Sequence, residues 1–336
     1  SLEECSVNDY PSEWDVMEEQ DPQPAEEPEY RPAPAPRPRR QPTPPPSVRR
    51  REGRLSGLAL AVAILALIVA AIALFLSLRT EEELDPPPDT SVEEPITFRF
   101  GDMTLTPLEG MPLNPYDRSA FTTDSRGRLV YEQDGKRAKT GVDVSTYQKE
   151  IDWQAVAADG IDFAILRLGY RGYTEGGLFM DQTFEANLSG ALDAGLDVGV
   201  YFFSQAITPE EAEAEAAYIL NAVKGHEIAY PIAFDWEPIA PGSGARTDSL
   251  PNATLTQCAA AFCAAIKEAG YTPAVYFNQS LGYLRYDLRE LTEYNLWLAE
   301  YDTRPDFYYH FDIWQYTHTG RVDGIQGDVD LDLDLR

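Results

Sequence analysis

The sequence predicts an α/β protein whose C-terminal part closes as a TIM-like β/α barrel with short or missing helices, preceded by a disordered tail and one transmembrane helix. Three observations lead there. Residues 1–54 are rich in Pro, Glu and Arg; an uncharged apolar run follows from Gly57 to Leu78; and from Lys139 onward short β-rich runs alternate with helical stretches.

The tail over 1–54 has too little apolar surface to offset its ordering entropy. Its first thirty residues are acidic, whereas Arg31, Arg37, Arg39, Arg40, Arg49, Arg50, Arg51 and Arg54 crowd the approach to the next segment. A helix over 55–78 contains the 22-residue uncharged run, which reaches ~33 Å at the helical rise and so spans a bilayer. A core helix is seldom apolar on every face for so long. A cleavable signal peptide has a short leader and a shorter apolar stretch, so an uncleaved anchor is expected. Arginines before the span and Glu81, Glu82 and Glu83 after it place the N-terminus in the cytoplasm and the rest outside the cell membrane.

Residues 79–136 read as an extracytoplasmic stalk. An acidic Pro-rich spacer (Asp85 to Asp89) leads to a small hairpin around Phe121 to Gln133, turning at Asp124-Ser125-Arg126-Gly127. This stretch either covers a cleft or spaces it from the membrane. The barrel is expected over 137–336, with strands in GVDVST, DFAILRLGY, DVGVYFFS, YPIAFDWEP, TPAVYFN, NLWLAEYD, FDIWQYT and GDVDLDL. Helical patterns at Pro209 to Val223 and Thr254 to Ala269 separate several of them, which implies a parallel sheet.

Composition excludes some functions. With 56 acidic against 27 basic residues the net charge is −29, which repels a nucleic-acid backbone. Cys258 and Cys263 stand five apart in a helical stretch and read as small buried apolar residues. His226, His310 and His318 have no metal-ligand spacing, so no metal or other cofactor is expected.

Working groups in such barrels sit at the C-terminal strand ends. The run Pro231 to Phe234 leads into Asp235-Trp236-Glu237, so on extended chain Asp235 and Glu237 face the same way with Cα atoms about 6.5 Å apart. An exposed edge or a helix N-cap is the other reading of this triplet. Asp143 on the first strand and Asp330 on the last become neighbours if the barrel closes. Four crowded carboxylates raise one another's pKa values, so that one can stay protonated as a general acid, as glycosidic cleavage requires. Tyr170, Tyr201, Phe203, Tyr276, Trp297, Tyr301 and Gln315 lie at candidate strand ends, suited to stacking on sugar rings or bonding their oxygens, with a role in the core as the alternative.

From about Thr140 to Asp332 the chain resembles glycoside hydrolase family 25, the lysozymes of the Chalaropsis or cellosyl type. The likeness rests on GVDVSTYQ, Ile151-Asp152-Trp153, Arg167, FDWEP, LWLAEY, and WQYT followed by G-x-V-x-G-I and V-D-L, agreeing in order. It implies a barrel with fewer helices than strands, acting on the β-1,4 bond between N-acetylmuramic acid and N-acetylglucosamine in peptidoglycan glycan strands. It implies Glu237 as proton donor, Asp235 as the group that stabilises or orients the 2-acetamido group, and Asp143 and Asp330 as further cleft carboxylates. The chain departs from the family pattern at Tyr201-Phe202-Phe203, where many members carry His, and at Asp332, where Asn is common. The resemblance implies retention of configuration with help from the acetamido group, while strand spacing alone leaves inversion open. A barrel that binds peptidoglycan without cutting it, or that scaffolds other proteins, is the alternative reading. The Pro-Arg tail suits a cytoplasmic partner whose identity the sequence does not give.

Overall fold

Along the strands of the last 200 residues, side chains alternate between the inside of a barrel and the core around it. The computed structural model describes residues 96–240 and 242–336. The expected tail and the helix over 55–78 lie outside the described residues; among those described, no helix is long and apolar enough to cross a membrane.

The described chain opens with an antiparallel ribbon of β1 (Phe98–Phe100) and β2 (Met103–Leu105), then an antiparallel sheet of β3 (Phe121–Thr123), β4 (Leu129–Gln133) and β5 (Lys136–Arg137). The barrel follows as β6 (Lys139–Val144), α1 (Trp153–Ala158), β7 (Phe163–Arg171), β8 (Leu178–Met180), α2 (Phe184–Asp193), β9 (Asp197–Phe203), α3 (Pro209–Ala222) and β10 (Ile232–Asp235). It continues with α4 (Asn252–Glu268), β11 (Pro273–Asn278), α5 (Gln279–Leu284), β12 (Asn295–Ala299), β13 (Ile313–Gly320) and β14 (Val329–Asp334). Strands β6, β7 and β9 to β14 close on themselves through the β6–β7 pairing, giving eight staves, with β8 a short hairpin strand on β7.

All eight strand runs read from the sequence are found, but the sheet is not wholly parallel. β14 runs antiparallel to both β13 and β6. Only residues 321–328 join β13 to β14, and so short a link cannot carry the crossover that parallel strands need. The reversal keeps Asp330 at the working end, because the start of β14 pairs with the end of β6: Asp330 and Asp143 are register partners.

Inward positions form their own buried cluster of Phe163, Ile165, Tyr201, Tyr230, Ala233, Ala274, Tyr276, Trp297, Ala299 and Ile313. Their strand neighbours, among them Val142, Val144, Leu166, Val200, Phe202, Phe234, Val275, Phe277, Leu298 and Trp314, face outward into the larger core. Gly141 is the opening that lets Phe163 fill the barrel: a Cβ there would stand 2.2 Å from that ring. In α4 the thiols of Cys258 and Cys263 are both free and buried.

No α-helix stands between β12 and β13 or between β13 and β14. Residues 96–138 cover the outer face there. Phe121 sets its ring edge-on to Trp314 at 5.3 Å, Phe98 stacks on Tyr308 at 4.2 Å, and the Tyr116 hydroxyl donates to the Phe311 carbonyl. Backbone bonds join the same stretches, from Asn114 to Tyr308 at 3.1 Å and from His310 to Pro112 at 2.9 Å. Arg128 ties the hairpin to the Asp159 carboxylate and, at 2.9 Å, to the Arg321 carbonyl. The stretch read as a stalk with a hairpin thus contains that hairpin and packs on the barrel.

Candidate active site

The mouth of the barrel gathers four carboxylates because three strand ends deliver them. Asp143 comes from the end of β6 and Asp330 from the start of β14, paired across the ladder. Asp235 ends β10, buried, while Glu237 lies half-buried in the turn that follows. Between them Trp236 turns outward into the large core, where the Arg285 guanidinium lies over its ring at 5.0 Å. On extended chain that sends Asp235 and Glu237 to the opposite, inner side. The turn is held from below: Ser204 N donates to the Asp235 carbonyl at 2.6 Å, and Gln205 Nε2 donates to the Glu237 carbonyl at 3.0 Å.

Gln315 links the first of these acids to two phenols. Its Nε2 donates to Asp143 Oδ2 at 2.8 Å, which fixes the amide orientation and leaves Oε1 to accept from the hydroxyls of Tyr276 at 2.9 Å and Tyr301 at 3.0 Å. Burial, followed by the charges of Asp330, Glu237 and Asp143, drives the Tyr301 phenol far above its ordinary range. Tyr276 is driven up the same way by burial, with Tyr301, Glu237, Asp235 and Asp143 adding. All four predicted acids are therefore felt at one pair of neighbouring phenols. Both tyrosines stay protonated as donors.

The remaining predicted residues divide. Trp297 is buried in the barrel, edge-on to Tyr276 at 4.8 Å and to Tyr201 at 6.2 Å, so it and Tyr201 form the floor beneath the acids. Tyr301 is 37% exposed and sets its ring against His318 at 4.6 Å. Phe203 packs instead with Ile239 and Ala245, against Tyr170, which in turn stacks on the exposed Phe179 at 5.3 Å.

Three groups at the site were given no role by the sequence reading. Arg167, noted there only as part of a motif, donates Nε to Asp181 Oδ2 at 2.8 Å; Asp181 also accepts from Thr146 N at 3.0 Å and so braces the turn after β6. Gln205 is the clamp on Glu237. Asp332 is wholly buried two residues along from Asp330 and accepts Trp297 Nε1 at 2.8 Å. The alternation Asp330-Leu331-Asp332-Leu333-Asp334 was the available signal, since residues two apart on a strand share a face.

The chain has relatives among known proteins. It is 27% identical over 201 residues to an autolytic lysozyme of Clostridium acetobutylicum, covering 57% of this chain and 54% of that protein. Lysozyme M1 of Streptomyces globisporus is 28% identical over 235 residues, covering 66% of this chain and 72% of that one. Among solved structures, the modular autolysin LytC of Streptococcus pneumoniae, seen in complex with a synthetic peptidoglycan ligand, matches with a TM-score of 0.52 and 26% identity over 63% of this chain and 56% of its own. A family 25 glycosyl hydrolase from Bacillus anthracis shares the fold, with a TM-score of 0.51 at 22% identity over 63% of this chain and 95% of that chain. The chain spans about half the length of the clostridial and pneumococcal proteins. The model for glycosyl hydrolases family 25 matches residues 142–325, a stretch that runs from the strand carrying Asp143 through the Asp235 and Glu237 turn, and on this match the chain belongs to that family.

Proposed function

We propose that the chain is a muramidase, hydrolysing the β-1,4 bond between N-acetylmuramic acid and N-acetylglucosamine in peptidoglycan. The observation that carries this reading is the convergence of Asp143, Asp235, Glu237 and Asp330 around the Tyr276 and Tyr301 phenols. Glu237, the more accessible of the strand-β10 pair, is the general acid that protonates the leaving oxygen. Asp235, held deeper, stabilises or orients the 2-acetamido group, and the exposed Tyr301 ring is the first surface a sugar meets. Family membership and the lysozyme relatives support the same assignment.

The domain order proposed with it is a cytoplasmic tail over 1–54, a membrane helix over 55–78 and an extracytoplasmic remainder, a topology resting on the apolar run and its flanking arginines. Such an anchor restricts the enzyme to the wall beside its own membrane.

Digestion of purified peptidoglycan by the chain and by Glu237→Gln tests the activity. Loss of the general acid is expected to lower the rate by about a hundredfold or more, and wild-type products are expected to end in reducing N-acetylmuramic acid by mass spectrometry. No digestion by a folded wild type that still sediments with the wall would replace this reading with that of a binding barrel.

A further inference from the structure

We infer that Asp332 is a positioning residue that shares one proton with Asp143, and that this proton holds the Asp143 carboxyl in its place at the barrel mouth. The argument starts from burial. Asp332 is wholly enclosed inside the barrel, its Cα registered opposite Gly141 on β6 and Gln315 on β13, one inward step below Asp143 and Asp330. Its Oδ1 accepts Trp297 Nε1 at 2.8 Å. Its Oδ2 is sealed from solvent and has no partner in good hydrogen-bond geometry. Besides the indole, the group that interacts favourably with this carboxyl is Asp143.

Two carboxyl groups in contact in a water-poor interior cannot both be ionised, so one proton between them is the stable arrangement. Asp143 Oδ2 already accepts from the Gln315 amide, which favours negative charge on that side and leaves the proton to bridge toward Asp332. Burial, and after it the charge of Asp330, pushes Asp332 up to about 8 against the pull of the Trp297 and Asp143 hydrogen bonds. The other ionisable groups on the strands around it are Tyr316 on β13, whose phenol feels the Asp332 charge, Tyr276 and Tyr201 around the Trp297 ring, and Arg167 on β7, whose guanidinium is engaged by Asp181. The pair therefore titrates as a unit.

Asp332 holds its proton more tightly in the folded chain than in the unfolded one, where a carboxyl loses it near pH 4. The stability it contributes is complete below that pH and is lost as pH rises toward 8. An amide in its place keeps a donor for Asp143 and removes the ionisation.

The test compares the thermal unfolding of the full chain, wild type and Asp332→Asn, between pH 4.5 and 9. The unfolding temperature of Asp332→Asn is expected to gain steadily on that of wild type as pH rises, whereas Asp143→Asn keeps the buried Asp332 carboxyl, removes a bond that pulls its pKa down, and is expected to carry the wild-type slope to higher pH. A pH dependence of Asp332→Asn parallel to that of wild type overturns the proposal. If Asp332→Asn does not fold, the Asp143→Asn profile decides alone: a slope carried to higher pH supports the shared proton, and an unmoved slope overturns it. A second arm rests on the muramidase reading: Asp332→Asn is expected to retain activity, whereas Asp332→Val, which has no donor, is expected to lose at least about tenfold in kcat through a displaced Asp143. Equal activity of the two variants overturns the positioning role. Absence of activity in wild type would bear on the enzyme reading and leave the thermal result standing.

Discussion

At the scale of single residues, the best-defined support of the site is the Gln205 amide. It is fully buried and fully used: Nε2 donates to the carbonyls of Ser204 at 2.9 Å and Glu237 at 3.0 Å, and Oε1 accepts from Thr247 Oγ1 at 2.6 Å. The clamp grips the backbone of Glu237 rather than its carboxyl, so it fixes where the acid starts without touching its proton. Thr247→Val keeps the shape of the side chain and deletes one donor. A buried acceptor then loses its partner, at a cost of about 1–3 kcal/mol in denaturant unfolding. A Glu237 turn free to shift is also expected to lower kcat about tenfold with KM nearly unchanged, the signature of lost alignment rather than lost binding. Steady-state kinetics on soluble glycan fragments check this; a kcat within twofold of wild type would make the contact purely structural. Neither Gln205 nor Thr247 was legible beforehand, because they come together only when the loop after β10 folds back over the end of β9.

At the scale of elements, residues 96–138 stand in for helices that the barrel lacks. Met111, Phe121, Leu129 and Tyr131 are buried, and their counterparts Tyr309, Phe311, Trp314 and Tyr316 belong to the same core as the helices on the other side. Truncating Phe121 to Ala is expected to cost about 3–5 kcal/mol by chemical denaturation, as for a large ring removed from any core. A value under 1 kcal/mol would show that this segment rests on the barrel without stabilising it. Its covering role was hidden in the sequence, where the apolar residues are too scattered to give either a 2- or a 3.6-residue period. The barrel strands, by contrast, were readable as apolar runs, since most are buried on both faces. What such a run lacks is direction. The antiparallel course of β14 follows from the eight-residue link before it, and Asp332, noted only as a departure from the family pattern, was given no role because a reading tuned to strand ends does not look one step down into the barrel.

At the scale of the whole molecule, three acids are buried where their charge is poorly solvated, and together they set how stability depends on pH. Burial pushes Glu215 up to about 7 against the pull of its ion pair with Arg171 at 2.6 Å. It pushes Glu300 up to about 7 although both carboxyl oxygens accept backbone N–H groups, from Asp306 at 2.7 Å and Phe307 at 3.2 Å. Asp332 is pushed up to about 8. Each folded-state pKa lies above its unfolded value near 4, so the protonated form favours folding, and the stability present below pH 4 is lost as pH climbs through 7 to 8. Acids displaced the other way, such as Glu211 beside Arg246 and Asp334 beside Arg336, contribute above their unfolded pKa values and lose that contribution only as pH falls below about 4. Between pH 5 and 8 the raised group therefore dominates, and self-repulsion in a chain of net charge −29 acts in the same direction. Thermal unfolding at constant ionic strength is expected to show a higher midpoint at pH 5 than at pH 8, a difference on the order of a few kcal/mol in stability. A midpoint that rises over that interval would mean that these carboxyls are ionised in the folded state at pH 5, and that the interior around them is better solvated than their burial implies.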